Sequence, residues 1–482
     1  MPAPSPTTQV LYSKLDHESA DYQAKRMAMA EAVGLLDAEQ AVALAGGGER
    51  YVARHRSRGK LLARERIEML VDVGSPFLEL SVLAAWGTDY GLGGSVVTGL
   101  ALVSGVRCVV IAHDPTVRGG TSNPYTWKKV LRAMDISREG CLPLVNLVES
   151  GGGDLRTQGE AFIPAGRLFH DLTELSARGV PTVALVFGNS TAGGAYVPGM
   201  CDYVVMVQRA AKVFLGGPPL VKMATGEESG EEELGGAEMH SMVSGLSDYL
   251  AADEQDCIRI GREIVAHFAG LPAGHVPGSV PGRWQAVIEP FYEPDDLLGI
   301  APIRSGDHAG ASARDILARV LDGSRFDEHA PSRAPGLAAG WGEVHGRHVG
   351  ILAGGSLGPS IRRAEAKKAS ELVTLSNRMG APLVVIQSGS GCMAEALESC
   401  ETSYVVIEVP SEGLPTSRML RPRQRPERFV FSWPDPGRLP GGGRDRLFGG
   451  TSRVEDDGVI DPRDTRSVLA VVLSFMSPHG GS

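Results

Sequence analysis

The chain has 482 residues, 43% hydrophobic and 22% charged, enough for two or more globular domains with a sizeable core. A net charge of −10 and only 6% aromatic residues disfavour a nucleic-acid binder, which needs a basic face and rings for base stacking. No run reaches the ~18 apolar residues of a membrane span, no signal-peptide core opens the chain, and six cysteines without a CxxC pair read as buried thiols, so a cytoplasmic protein without metal is expected.

Residues 1–15 are rich in Pro, Ser and Thr and read as frayed. Residues 18–45 have helical composition, ended by the glycines at 46–48. "YVARHRSRGKLLARERIEMLVDVGSPFLEL" follows; its basic first half and amphipathic second half read as a helix packed on the body and stopped at "VGSP". From about residue 97, strands and helices alternate. "VTGLALVSGV" and "RCVVIAHD" predict strands, "NPYTWKKVLRAMDISREG" a helix, "LPLVNLV" a strand, "GRLFHDLTELSARG" a helix and "PTVALVFG" a strand. Short buried strands between helices imply crossover connections of the βαβ type. Pro- and Gly-rich stretches at 275–287 and 328–344 bracket short helices, and the domain boundary is placed near residue 290.

The chain contains an internal repeat. Aligned without gaps, Lys128 meets Lys367, Lys129 meets Lys368, Ser137 meets Ser376, "PLV" at 143–145 meets "PLV" at 382–384, and Gly152 meets Gly391. Each segment follows an apolar strand and a Gly-rich turn. The copies then diverge. About thirty residues separate Gly152 from the next strand near Thr182, against about twelve from Gly391 to Ser403, so the second copy is expected to lack a helix. Beyond that strand, Gly193 and Gly194 fall opposite roughly Pro415 and Thr416; proline has no N–H to donate.

"VESGGGDL" (148–155) and "STAGGAYVP" (190–198) each end an apolar strand and open toward a helix. Such ends present N–H groups at a positive helix terminus, suited to an anion or a developing oxyanion. Two of them on neighbouring strands can each give one N–H to the same oxygen, with a thioester carbonyl as candidate. Lys128, Lys129 and Arg132 sit on adjoining positions of one predicted helix, as a solvated face or as phosphate contacts. No G-x-x-x-x-G-K-[ST], G-x-S-x-G or H-E-x-x-H occurs. Lys222 in "LVKMATG" lacks the flanks of a biotinylated turn, and His240 in "AEMHSMVSG" reads as a structural histidine bonded to backbone.

With these residues assembled, the chain resembles the carboxyltransferase (β) subunits of biotin-dependent acyl-CoA carboxylases, most similarly the methylcrotonyl-CoA and geranyl-CoA type. The stretches that carry the resemblance are "RHRSRGKLLARERIEMLVDVGSPFLEL", "VRGGT", "ESGGGDL", "TAGGAYVP", "FLGGPPLVKMATGEE" and "LGGAEMHSMVSGLSDYLAADE", with "DDGVIDPRDTRSVL" near the end. The resemblance implies an α/β fold, a duplicated crotonase-like (ClpP/crotonase) spiral, with domains 1–290 and 291–482. It implies that the N-terminal half binds acyl-CoA, whose enolate is carboxylated, and that the C-terminal half receives carboxybiotin at a subunit interface of a homo-oligomer. Separate biotin carboxylase and carrier subunits would supply the carboxybiotin. By position, Gly193 and Gly194 would stabilise the enolate, Ser150, Gly151 and Gly152 would flank the same pocket, and Lys128, Lys129 and Arg132 would reach the CoA phosphates. The second half departs from the family pattern: its Gly-rich hole and the preceding long helix are missing. Three functions remain open on the sequence: a carboxyltransferase, a biotin-independent homologue that decarboxylates, transfers or hydrolyses an acyl-CoA or acyl-carrier thioester, and a non-catalytic subunit.

Overall fold

The computed structural model describes residues 9–270, 286–301, 309–354, 359–388, 393–410, 428–438 and 448–476. The chain divides into two compact units. One holds Gln40–Val280 with Ser452–Val454; the other holds Met1–Glu39, Pro281–Thr451 and Glu455–Ser482. Residues 1–39, read from sequence with the N-terminal domain, therefore group with the C-terminal unit, where strand β1 (Gln9–Val10) pairs antiparallel with Arg325–Phe326.

The unit Gln40–Val280 is built on one sheet. Its strands are β2 (Leu78–Leu80), β3 (Val96–Val103), β4 (Val106–His113), β5 (Leu144–Ser150), β6 (Thr182–Thr191), β7 (Tyr203–Val207), β8 (Lys212–Phe214) and β9 (Tyr249–Ala251). The order is β2-β3-β4-β5-β6-β7-β9, with β8 alongside the far end of β6. The β2/β3 and β3/β4 pairs are antiparallel, and all later pairs are parallel. The central strands are mostly apolar, rich in Val, Leu and Ala, and buried on both faces over most of their length, as parallel strands under helices must be.

The other unit repeats the plan. Its strands are β10 (Arg325–Glu328), β11 (Leu337–Val344), β12 (Arg347–Gly354), β13 (Leu383–Gln387), β14 (Tyr404–Glu408), β15 (Arg428–Ser432) and β16 (Gly458–Val459). They run in that order from β10, again two antiparallel pairs followed by four parallel ones. The match reaches single hydrogen bonds. The β3–β4 hairpin turns through Ser104 and Gly105, both at positive φ, and Asp72 accepts both amides at 2.7 Å while Arg262 holds it at 2.8 Å. The β11–β12 hairpin turns through His345 and Gly346 at positive φ, capped by Asp322 at 2.9 and 2.7 Å and held by Arg466 at 2.6 Å. Two consecutive positive φ values give the primed turn that matches strand twist.

The helix Pro124–Gly140 starts where Asn123 caps the Tyr125 and Thr126 amides at 2.9 and 3.2 Å and proline takes the first helical position. Its partner in the second unit is Pro359–Met379. Ser137 donates to Leu142 O at 2.7 Å, and Ser376 bonds Ala381 O in the same way. The basic stretch 49–70 differs from the single helix expected: it forms Glu49–Arg56 and Ala63–Leu70, interrupted where Gly59 adopts φ +74. The β5–β6 crossover carries the 20-residue helix Gln158–Ala177, whereas β13–β14 carries only the five-residue helix Ala394–Glu398. The second crossover is thus shortened, and a stub of helix remains where its loss was expected. Pro415 and Thr416 lie outside the described residues.

Candidate active site

Three glycine loops meet at the C-terminal ends of β4, β5 and β6. The loop after β4 touches the loop after β5 through Ser122 N to Gly152 O and Asp154 N to Ser122 O, each 2.8 Å, and through Gly151 N to Gly119 O at 3.1 Å. Gly120, at φ +67, has no room for a side chain: a Cβ would lie 2.4 Å from Glu149 O. The loop after β6 approaches less tightly. A Cβ on Gly152 (φ +87) would lie 3.1 Å from Thr191 O, and one on Gly194 would lie 3.4 Å from Ser150 Oγ. The crowding therefore falls on Gly152, while at Gly193 and Gly194 packing leaves room for a β-carbon and does not by itself require glycine.

Gly193 faces open space, with nothing within 4 Å of its Cβ position, and both Gly193 and Gly194 are half-buried. They lie in the turn Ala192–Ala195, which runs directly into the helix Tyr196–Met200. Ala192, just before them, is held at φ +52, a left-handed conformation a β-carbon disfavours.

A cavity of about 710 Å³ opens beside these loops. Ser150, Gly151, Asn189 and Glu149 form one wall, and the segment Pro115–Gly119 another. Arg54, Arg58, Lys60 and Arg118 bring positive charge to it, and Tyr51 and Tyr90 bring aromatic faces. Arg118 lies 5.7 Å over Tyr90, which packs on Tyr125 at 5.5 Å. A basic, partly aromatic recess suits a phosphorylated nucleotide tail. Gly193 and Gly194 do not line it; Ser150 lines the cavity, and its hydroxyl faces the β-carbon position of Gly194 at 3.4 Å.

Beneath the wall lies a buried ion network. Glu149 pairs with Lys60 on one oxygen and with Arg66 at 2.7 Å on the other. The Arg66 side chain is 0% exposed; it also chelates Glu254 at 2.7 and 2.9 Å and stacks 4.4 Å over Phe187. Burial pushes the Glu149 carboxyl upward, but Arg66 and Lys60 outweigh it and hold it below the ordinary carboxylate value. Gly188 gives the pair room: a Cβ there would lie 2.6 Å from Glu149 Oε1 and 2.7 Å from Lys60 Nζ.

The residues singled out from the sequence divide into two groups. Ser150, Gly151, Gly152, Gly193 and Gly194 are brought together, but the Gly151 amide is spent on Gly119 O and the Gly152 amide on Ser150 Oγ at 3.2 Å. The expected second donor is thus not a free amide of 151 or 152. Lys128, Lys129 and Arg132 are absent from the cavity lining among the described residues. Lys129, expected at the CoA phosphates, is 1% exposed and donates to Gly93 O at 3.2 Å and Val96 O at 2.8 Å, and burial lowers it to about 8. Its repeat partner Lys368 is likewise buried, bonded to Leu337 O at 2.9 Å. The shared Lys-Lys pattern thus reports a lysine that ties helix to sheet. Lys128 bonds Arg453 O at 3.2 Å and lies 5.2 Å over Tyr125. The cavity cations Arg54, Arg58 and Lys60 were missed, although "RHRSRGK" was visible as a basic run. His240 bonds Val213 O at 2.7 Å. His170, Asp171 and Glu174 lie close enough to share an ion, but Arg138 already sits 3.3 Å from Asp171 and 3.7 Å from Glu174. No helix among the described residues is long and apolar enough to cross a membrane.

The strand ends of the second sheet carry different chemistry. Gln387, Glu408 and Ser432 stand in register on β13, β14 and β15, where the first sheet has Val148, Val186 and Met206. Ser432 bonds Asp456 at 3.2 Å, and Gln387 bonds Glu408. Burial first, then Asp456, pushes Glu408 up to about 7; burial likewise pushes Asp456 up to about 6. A carboxyl raised in the folded state contributes stability at low pH that is lost as pH rises through the folded value. Glu408→Gln, which stays neutral, is therefore expected to melt with wild type at pH 5 and above it at pH 8. Thermal unfolding at both pH values checks this; equal melting at pH 8 would contradict it.

Comparison with known proteins follows the same lines. The family model of the carboxyl transferase domain matches residues 54–396, ending inside the short helix Ala394–Glu398. The chain is 44% identical to a probable biotin-dependent acyl-coenzyme A carboxylase beta2 subunit of Mycobacterium tuberculosis, over 97% of each chain. That alignment runs to 526 positions, more than the 482 residues here, so the relative carries residues that this chain lacks. It is 36% identical to the mitochondrial methylcrotonoyl-CoA carboxylase beta chain of Dictyostelium discoideum, over 97% of this chain and 88% of that one. The geranyl-CoA carboxylase beta subunit of P. aeruginosa superposes with a TM-score of 0.81 at 32% identity, covering 98% of this chain and 99% of the other. The duplicated sheets are thus a crotonase-like fold, and the chain belongs to the carboxyl transferase domain family, the enzymes that include the β subunits of biotin-dependent acyl-CoA carboxylases.

Proposed function

We propose that the chain carboxylates an acyl-CoA, taking the carboxyl group from carboxybiotin delivered by partner biotin carboxylase and carrier subunits. The nucleotide tail lies in the basic cavity, with Arg54, Arg58 and Arg118 at its phosphates. The arm passes Ser150, and the thioester oxygen faces the turn at Gly193 and Gly194. First-turn N–H groups of a helix point outward without intrahelical partners, so negative charge developing on that oxygen as the enolate forms is stabilised where it appears. One observation carries the reading: Ser150 belongs to the cavity wall, and its hydroxyl lies 3.4 Å from where a β-carbon on Gly194 would stand, so a single ligand can reach both. A second copy of the chain is the expected partner in a homo-oligomer.

The shortened β13–β14 crossover favours a second reading, in which the thioester site is kept and biotin is not used. The reaction would then be decarboxylation, acyl transfer or hydrolysis. One pair of assays separates the two. Purified chain is given acyl-CoAs with a carboxybiotin donor, then malonyl-type thioesters without biotin. Carboxylated product in the first assay supports the primary reading; turnover only in the second assay replaces it.

A further inference from the structure

We propose that Lys60 binds the pantetheine arm of the ligand, donating to one of its amide carbonyl oxygens; the inference rests on the acyl-CoA reading above. An ammonium group has three N–H donors. Among the described residues, Lys60 Nζ spends one on Glu149 Oε1 and one on Phe187 O at 3.1 Å. The third has no protein partner there. Lys60 lines the cavity together with Ser150 and Gly151, and its side chain is 18% exposed, whereas Arg54 and Arg58, which also line it, are exposed. The remaining donor thus belongs to a largely buried ammonium of the cavity wall, beside Glu149 and the Ser150–Gly151 turn.

Charge decides what it binds. Lys60 and Arg66 are matched by Glu149 and Glu254, so the buried group is neutral as it stands. A phosphate brought to Lys60 would meet the Glu149 carboxylate at the same nitrogen, and the like charges would repel. A neutral carbonyl oxygen accepts the third N–H without disturbing that balance. Bonds to a charged donor are the stronger kind, and the two existing bonds fix the ammonium before the ligand arrives, which limits the ordering cost of binding. The cavity thus divides its labour: exposed arginines take the phosphates, and Lys60 takes the arm.

The test uses two halves of the ligand on the full chain. Acetyl-pantetheine carries the arm and thioester without phosphates; adenosine 3′,5′-bisphosphate carries the nucleotide without the arm. Lys60→Met is expected to weaken acetyl-pantetheine binding about tenfold or more while changing the nucleotide by less than about twofold, as loss of one charge-assisted hydrogen bond requires. Lys60→Arg should recover part of the loss. Loss of the nucleotide with the arm unaffected would make Lys60 a phosphate ligand, and no change in either would reduce it to a support for Glu149; both results overturn the proposal. If both halves weaken together, Lys60→Arg decides: recovery of the arm alone upholds the proposal, and any other pattern rejects it. Wild-type chain that binds neither half nor CoA itself defeats the acyl-CoA reading, and this inference with it.

Discussion

Gly194→Val is expected to reduce acyl-CoA turnover by roughly 100- to 1000-fold, the cost of disabling a donor that stabilises a developing oxyanion, while the protein still folds. The two effects separate because Gly194 is not at positive φ, so a β-carbon adds no backbone strain there. Its first atom would make ordinary contacts, 3.4 Å from Ser150 Oγ and 3.5 Å from Ser150 Cβ. The branched methyls of valine then crowd the space a thioester oxygen would fill. Steady-state kinetics with acyl-CoA, paired with thermal unfolding, makes the measurement. Full turnover in a folded variant would place the oxyanion site elsewhere. A collapse of stability would mean that the turn is needed for packing first.

The second large effect concerns Arg66. Its side chain is 0% exposed and neutralises two carboxylates, Glu149 and Glu254, from sequence positions far apart. Arg66→Met keeps much of the volume but leaves Glu254 without its cation and Glu149 with Lys60 alone, which is expected to cost about 3–5 kcal/mol, as measured when one partner of a buried pair is removed. The variant should also change its response to acid. In the wild type, Glu149 is held below the ordinary carboxylate value, so it contributes stability that is present above its unfolded pKa and lost as pH falls through the depressed one. Without Arg66 that acid-sensitive contribution should shrink. Denaturant unfolding at pH 7 and pH 4 reads both; a loss below about 1 kcal/mol at pH 7, the scale of an exposed pair, would mean that the network is not structural.

Much of the fold was legible because its signals are local. Buried Val and Leu runs flanked by glycine turns gave the central strands, and Asn-Pro before an amphipathic stretch marked the start of the helix at 124. The two glycine turns could be placed on neighbouring strands because crossovers of that length put successive strands side by side. What the sequence hid depends on direction and distance. Nothing local distinguishes Lys128, at the surface, from Lys129, whose stem runs inward to carbonyls at Gly93 and Val96. Nothing local pairs Arg66 with Glu149 and Glu254. The break at Gly59 was passed over because a basic run followed by an amphipathic one satisfies a single helical period; only the left-handed φ reveals that Arg58 and Lys60 leave the helix.

The buried lysines at 129 and 368, with Ser137 and Ser376 below them, have a consequence for how the two halves can diverge. The residues that keep the halves alike are carpentry, joining a helix to the strands it covers. The proposed chemistry sits on loops at the strand ends, which are tied to one another and not to these helix-to-strand joints. Either half can therefore exchange its reactive apparatus, or discard it, while resemblance between the halves persists, so kinship along the chain is no gauge of how many working centres it contains.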